Sequence, residues 1–275
     1  LPRWSYAVHW RTDGLPLWTN PDLIDRELPR APATIAEAER FATQLCRNLG
    51  LPADAPIAAF EDPGHFALVE QKLPLGVDPA DNRLEDPAER ARLVKGFERG
   101  LGKPTGYVLP IQVWQAQDKS RRWITERWKL RRARLYLAPG DSPVGYRLPL
   151  GSLPFIAPIN YPNVESADLF APREPLPDRQ VLQRQRQAAG LLALPAGTNA
   201  TDEVIGAVRT AMVVEPRDGH LCVFLPPVAD AEDYAALTAA LEQTANQVGL
   251  PIRLEGYAPP PDPRLIVIKV TPDPG

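Results

Sequence analysis

The order of patterns at the start of this chain returns near its end, and that repetition constrains the fold more than any other feature. Tyr6-Ala-Val-His-Trp10 runs into Asp13-Gly14 and then Leu15-Pro-Leu-Trp18. A helical pattern follows over Ile35 to Asn48, then Gly50-Leu51-Pro52 and strand patterns over Ile57 to Glu61 and Phe66 to Lys72. About 200 residues later the same order recurs. Ala211-Met-Val-Val-Glu215 runs into Asp218-Gly219 and Leu221-Cys-Val-Phe224, followed by a helical pattern over Ala231 to Val248. Gly249-Leu250-Pro251 and strands over Ile252 to Glu255 and Leu265 to Val270 complete it. Two such hairpin–helix–strand–strand units usually pack as one pseudo-symmetric core. The expectation is an α+β fold around a mixed or antiparallel sheet, helices on one side and the other face open. It divides into a first unit (1–105), a β-rich and Pro/Gly-rich insertion (106–200) and a second unit (201–275).

Local signals support the two long helices. Thr34 with Glu37 makes a capping box, Phe41, Ala42 and Leu45 lie on one stripe, and Gly50 suits the C-terminal cap. Asp218-Gly219 between alternating runs is a strong hairpin signal. Asp13-Gly14 is weaker, because Pro16 confines the following strand to an edge. Between the repeated patterns, a helix is predicted over Ala88 to Leu101 and strands over Tyr107 to Trp114, Trp123 to Leu130 and Ala133 to Leu137. A polar helix over Arg179 to Ala189 then leads to the second unit.

The net charge of −3 gives no electrostatic footprint for nucleic acid. No apolar run reaches the roughly 18 residues of a membrane span. Cys46 and Cys222 are too few for a disulfide scaffold, so a cytoplasmic protein is expected. The chain opens on Leu1 and stops at Gly275 just after a strand, which points to a piece of something longer.

Chemistry concentrates in few places. Glu61 and Asp62 end a strand, Pro63-Gly64 turns the chain, and Glu70 lies on the returning segment. Two strands offering carboxylates to one sheet face suit Mg²⁺, which takes oxygen ligands and shares them with phosphate. The same residues also fit a solvent-facing hairpin. Arg209 and Lys269 stand in otherwise apolar strands, where a cation on the side of Glu215 or Glu255 can clamp a phosphate or carboxylate. Lys119 to Arg134 is a cationic stretch interleaved with Trp123 and Trp128, read as a solvated face with inward tryptophans or as a surface for phosphates or acidic peptides. His9, His65 and His220 show no metal-ligand spacing, and only His65 has acidic neighbours. Neither cysteine sits where a lowered thiol pKa is expected.

Several phrases together carry a resemblance: Trp10-Arg-Thr-Asp-Gly14 with Pro16-Leu-Trp18, Phe60-Glu-Asp-Pro63, Pro139-Gly-Asp-Ser-Pro143 with Tyr146-Arg-Leu-Pro-Leu150, Glu215-Pro-Arg-Asp-Gly219 and Lys269-Val-Thr-Pro-Asp-Pro-Gly275. The chain resembles, over its whole length, a bacterial amidoligase family found C-terminal to a transglutaminase-like domain in one long polypeptide. The resemblance implies kinship with glutamine synthetase and glutamate–cysteine ligase, in which ATP phosphorylates a carboxylate and an amine displaces the phosphate. It implies Mg²⁺ and ATP as cofactors, Glu61 and Glu70 as metal ligands, and Arg209 and Lys269 as catalytic phosphate contacts, with Arg147 also binding the nucleotide. The implied partners are the transglutaminase-like domain and a peptide or peptide-like substrate. Gly151 stands where relatives tend to have Asp, and Phe155 where they tend to have Trp.

The leading expectation is therefore a carboxylate–amine ligase. A non-catalytic module that presents peptides to the transglutaminase-like domain is the rival. The ligase needs acidic and cationic residues converging on one concavity, whereas the module can leave them scattered. A cysteine hydrolase would need Cys46 or Cys222 beside a histidine.

Overall fold

The apolar runs Ala211 to Val214 and Leu221 to Leu225 become central strands because both of their faces are covered. The computed structural model describes residues 6–26, 31–73, 86–115, 121–130, 133–157, 173–178 and 208–271, with single positions 76, 78, 81 and 181. The helix expected over Arg179 to Ala189 lies outside these residues except at position 181. In chain order the strands are β1 (Tyr6–Arg11), β2 (Ile57–Phe60), β3 (Gly106–Pro110), β4 (Gln112–Gln115), β5 (Arg121–Ile124) and β6 (Leu135–Tyr136). β7 (Ala211–Arg217), β8 (His220–Leu225), β9 (Arg253–Gly256) and β10 (Leu265–Val270) complete them. The helices are α1 (Ile35–Asn48), α2 (Pro63–Glu70), α3 (Pro87–Arg99) and α4 (Ala231–Val248).

The described strands form a six-stranded sheet in the order β6-β2-β3-β7-β8-β9, and two separate ribbons, β1-β10 and β4-β5. β2 with β6 and β8 with β9 run parallel, and the other neighbours are antiparallel. The fold is thus α+β around a mixed sheet. On one face α1 and α4 pack together, with Phe41, Leu45, Leu237 and Leu241 against Leu109, Met212, Val214 and Val223. The other face carries Ala59, Val108, Leu135, Val213 and Phe224 and is covered by Trp128, Leu137 and Val144. A strap made of residues 128–130 and 137–153 therefore closes the face that the sequence pattern left open.

In the second unit the hairpin, the helix and the strand after it form as expected, whereas β10 leaves the sheet to pair with β1. Asp218 (φ 52) and Gly219 (φ 84) make a tight left-handed turn between β7 and β8, and α4 then returns the chain to β9. The first unit follows a different path, so the duplication does not hold. Leu15 to Trp18 forms no strand, and β1 pairs instead with the distant β10. The loop after Pro16 is held by α4, where the buried carboxylate of Glu242 accepts from the backbone N–H of Thr19 and Asn20 and from the Thr19 hydroxyl. The strand expected over Phe66 to Lys72 is helix α2. Asp62 accepts from the Gly64 N–H as N-cap and Pro63 takes the first helical position, so Asp-Pro starts a helix here rather than a hairpin.

Within the cationic stretch, Trp128 is buried and donates to the Val208 carbonyl at 2.9 Å. Trp123 is half-buried, and Arg122, Arg127 and Lys129 are exposed, which fits a solvated face. The strand expected over Trp123 to Leu130 stops at Ile124.

The turn before β10 is tied by Asp262, whose carboxylate accepts from Arg264 (Nε 2.9 Å, Nη2 2.7 Å) and from Arg173 Nη1 at 2.5 Å. The hydrogen bonds from Arg264 hold its pKa at about 2 against the opposing effect of burial. A depressed folded-state pKa contributes stability that is present above the ordinary value near 3.8 and is lost as pH falls through about 2. Asp262→Asn should therefore cost about 2 kcal/mol at pH 7. Urea unfolding of both proteins at pH 7, 4 and 3 should show the gap closing at the acid end. A gap independent of pH would contradict this assignment.

Candidate functional site

The strap face of the sheet is apolar at its centre and charged at one end. Ala59 of β2 faces the strap core, and Glu61, two residues on, faces the same way. Asp62 then caps α2 and turns the chain out of the sheet. Val213 of β7 lies on this face, which places Glu215 and Arg217 there too. On β9, Leu254 packs on the helix side, so Glu255 points to the strap side. The floor between them is Gly106. A Cβ at that position would stand 3.0 Å from both the Glu215 Cβ and the Val214 carbonyl oxygen, so any side chain there would press on the carboxylate strand.

Two ion-pair systems occupy this end. Arg147, carried by the 3-10 turn Val144–Arg147 of the strap, grips Glu61 with both guanidinium ends, Nη1 to Oε1 at 3.1 Å and Nη2 to Oε2. Arg147 Nε also donates to the Ala138 carbonyl at 2.8 Å, and the Thr105 hydroxyl reaches Glu61 at 3.4 Å. Glu61 is 8% exposed and Arg147 6%. In the second system Arg217 Nη1 donates to Glu215 and to Glu255, both at 2.8 Å, and Glu215 also accepts from the Val144 N–H at 3.0 Å. Burial pushes the Glu215 carboxyl above its usual range, against the pull of the Val144 N–H and Arg217. Burial alone would lower the Arg217 pKa, but its bonds to Glu255 and the charge of Glu215 outweigh it and hold the guanidinium above its usual range.

These groups line a cleft shared by three parts of the fold. Glu61, Thr105, Glu215 and Arg217 come from the sheet, Pro139 to Ser142 and Arg147 from the strap, and His65, Phe66, Val69, Arg92, Leu93 and Lys95 from α2 and α3. It encloses about 750 Å³ out to open solvent, of which about 70 Å³ admits the centre of a water-sized molecule. The two helices meet through a small apolar cluster of their own, Phe66, Val69 and Leu93. The cleft thus combines an apolar wall with a few convergent charges, as ligand sites commonly do.

Of the residues singled out from the sequence, Glu61 and Arg147 meet here. Glu70 ends α2 and is exposed, because the segment is helical and carries it away from the strand register. Arg209 lies just before β7, its Nη1 bound to the Pro154 carbonyl at 2.6 Å, and does not line the cleft. Lys269 is exposed on β10 in the separate ribbon. The shared concave face expected for Glu61, Glu70, Arg209 and Lys269 is therefore not formed by these four. Glu215, Arg217, Arg92 and Lys95 take their places around Glu61. The Glu215 signal was present in the sequence, as a carboxylate closing a strand otherwise apolar on both faces.

The cysteines take no part. Cys46 is buried in the α1 core, and burial pushes its thiol up to about 12. Cys222 is 1% exposed, and burial raises it to about 11, with Arg217 pulling the other way. His9 is half-buried with Nδ1 unpartnered, and burial and Lys269 keep its pKa low.

Among the described residues no three His, Cys, Asp or Glu side chains cluster as a ready-made metal cage. Mg²⁺ does not need one, since it commonly takes one or two carboxylates, keeps its waters and completes its shell with substrate phosphate. Glu61 and Glu215 on either side of the Gly106 floor supply that kind of donor set. No described helix is long and apolar enough to cross a membrane. No curated protein and no solved structure matches the chain. One family model, described as "Putative amidoligase enzyme (DUF2126)", matches residues 1–275, and the chain belongs to that amidoligase family.

Proposed function

We propose that the cleft is the active site of an ATP- and Mg²⁺-dependent carboxylate–amine ligase acting on a peptide or peptide-like substrate, in a protein that also carries a transglutaminase-like domain. The observation that supports it most is the convergence of Glu61, Arg147, Glu215 and Arg217 on one cleft at the end of a mixed sheet, in a chain of the amidoligase family. A module that only presents peptides has no need of two buried carboxylate–guanidinium systems side by side, each of which is expensive to desolvate.

In this reading Glu61 and Glu215 would hold a Mg²⁺ ion, which would supply charge neutralisation for the transferred phosphoryl group. The protein does the rest by positioning. Arg147 and Arg217 fix the two carboxylates, so their orientation is set before substrate arrives. The strap and the α2–α3 pair keep water from an acyl phosphate, whose hydrolysis would waste the nucleotide.

The test is Glu61→Gln in the full-length protein, assayed for Mg·ATP-dependent phosphate release in the presence of Glu- and Asp-containing peptides and ammonia or a polyamine. The variant keeps the shape and loses the charge. It should lose at least about a hundredfold in rate, with the fold intact by circular dichroism. Wild-type turnover in Glu61→Gln would remove the metal role, and an absence of phosphate release by the wild-type protein would leave the peptide-presenting module ahead.

A further inference from the structure

Four cations line the cleft among the described residues, and they are held in two different ways. Arg147, which is buried, and Arg217, which is half-buried, each grip a carboxylate with both guanidinium ends. Arg92 and Lys95 are different. They stand one turn apart on α3, with Arg92 Nε 3.7 Å from Asp141 and Lys95 Nζ 3.5 Å from Asp218. Both partners are 69% exposed, as are Arg92 at 42% and Lys95 at 60%. Pairs this long and this wet contribute little and exchange readily.

We propose that Arg92 and Lys95 form the phosphate clamp of the cleft, leaving Asp141 and Asp218 for the oxygens of a magnesium polyphosphate. The proposal rests on the ligase reading for its biological ligand, but its chemistry does not. Three features support it. The two side chains stand one turn apart on α3, line the same cleft as the sheet carboxylates and are exposed, so an anion from solvent can reach them. Their helix is held close by Gly96, where any Cβ would overlap the Phe66 ring, so α3 lies directly on α2 and its cations are placed over the cleft. The remaining carboxylates decide the form of the ligand. Glu61 and Glu215 are matched by arginines, and Asp62 is committed to the α2 cap, but Glu89 lines the same wall. A cleft carrying both signs favours the metal complex of a polyphosphate over the bare anion.

The experiment is calorimetric titration of the full-length protein with magnesium tripolyphosphate and with Mg·ATP at two salt concentrations. Arg92→Gln/Lys95→Gln should weaken both by about tenfold or more and flatten the salt dependence. Arg92→Lys/Lys95→Arg, which keeps the charge, should retain most of the binding, and Lys129→Gln on the exposed cationic stretch should change nothing. Equal thermal unfolding of the variants separates clamp loss from fold loss. Unchanged binding by the double glutamine variant overturns the clamp, as does an absence of polyphosphate binding by wild type. Binding that is lost in the variant while the wild-type protein forms no amide keeps the clamp and sinks the ligase. Amide formation with an unaltered KM for ATP in the variant does the reverse.

Discussion

Arg147→Ala should lower the unfolding free energy by about 3–5 kcal/mol. The substitution leaves Glu61, 8% exposed, facing Thr105 without its guanidinium partner, and removes the donor on the Ala138 carbonyl. The cost is that of an uncompensated buried charge rather than the worth of the pair. Glu61→Leu/Arg147→Met should therefore recover most of the loss, since a packed apolar pair of similar volume avoids both desolvation penalties. Chemical denaturation of the single and double variants checks this. A double variant as unstable as Arg147→Ala would mean that the strap depends on the ion pair itself. Whatever its stability, the double variant should be inactive, because it has lost the Glu61 carboxylate.

Glu215→Gln should separate activity from stability in the opposite sense. Catalysis should fall about a hundredfold or more, as expected when a charged group at the reacting centre is removed. Stability should not fall with it. The Glu215 pKa is raised by burial, so its contribution to folding is fully present below the ordinary carboxylate pKa and is lost as pH rises through the higher folded value. At neutral pH the ionised group burdens the fold, and Gln keeps an oxygen for the Val144 N–H. The variant should therefore unfold at or above the wild-type temperature at pH 7, with the advantage shrinking toward pH 4. A variant that is markedly less stable at pH 7 would show that the Arg217 pairing outweighs the desolvation of Glu215.

Much of the fold was legible in the sequence where local chemistry and burial agree. The bounds of α1 follow from its Thr34–Glu37 capping box, and those of α4 from Asp230 and the left-handed Gly249. The Asp218-Gly219 hairpin follows from its turn residues. What failed was long-range pairing. Tyr6 to Trp10 alternates as any edge strand does, and nothing in that alternation says its partner lies at Leu265 to Val270. Likewise Asp62-Pro63 reads equally as a turn or as a helix start, and the helical answer removed Glu70 from the face it was expected to share with Glu61.

The candidate site was half legible for the same reason. Glu61 was found from the Glu-Asp-Pro-Gly turn that follows an apolar strand, together with the family resemblance. Arg147 came only with the family resemblance, since a Pro- and Gly-rich strap shows no period that would place its arginine on the sheet. Arg209 and Lys269 looked like clamp residues because they interrupt apolar strands. Yet one is taken by the Pro154 carbonyl and the other lies on a ribbon whose side chains are largely exposed. Arg92 and Lys95 sit in an ordinary polar helix and become notable only once α3 is laid over the cleft.

The central claim, that the Glu61–Glu215 cleft works on a magnesium nucleotide, is tested most directly by titrating ATP into the full-length protein with and without Mg²⁺. The same titration is repeated on Glu61→Gln/Glu215→Gln. The account predicts saturable binding by wild type that depends on Mg²⁺ and a double variant in which the Mg²⁺ dependence is gone. Wild-type binding that is indifferent to Mg²⁺, or a double variant that binds Mg·ATP as wild type does, would contradict it.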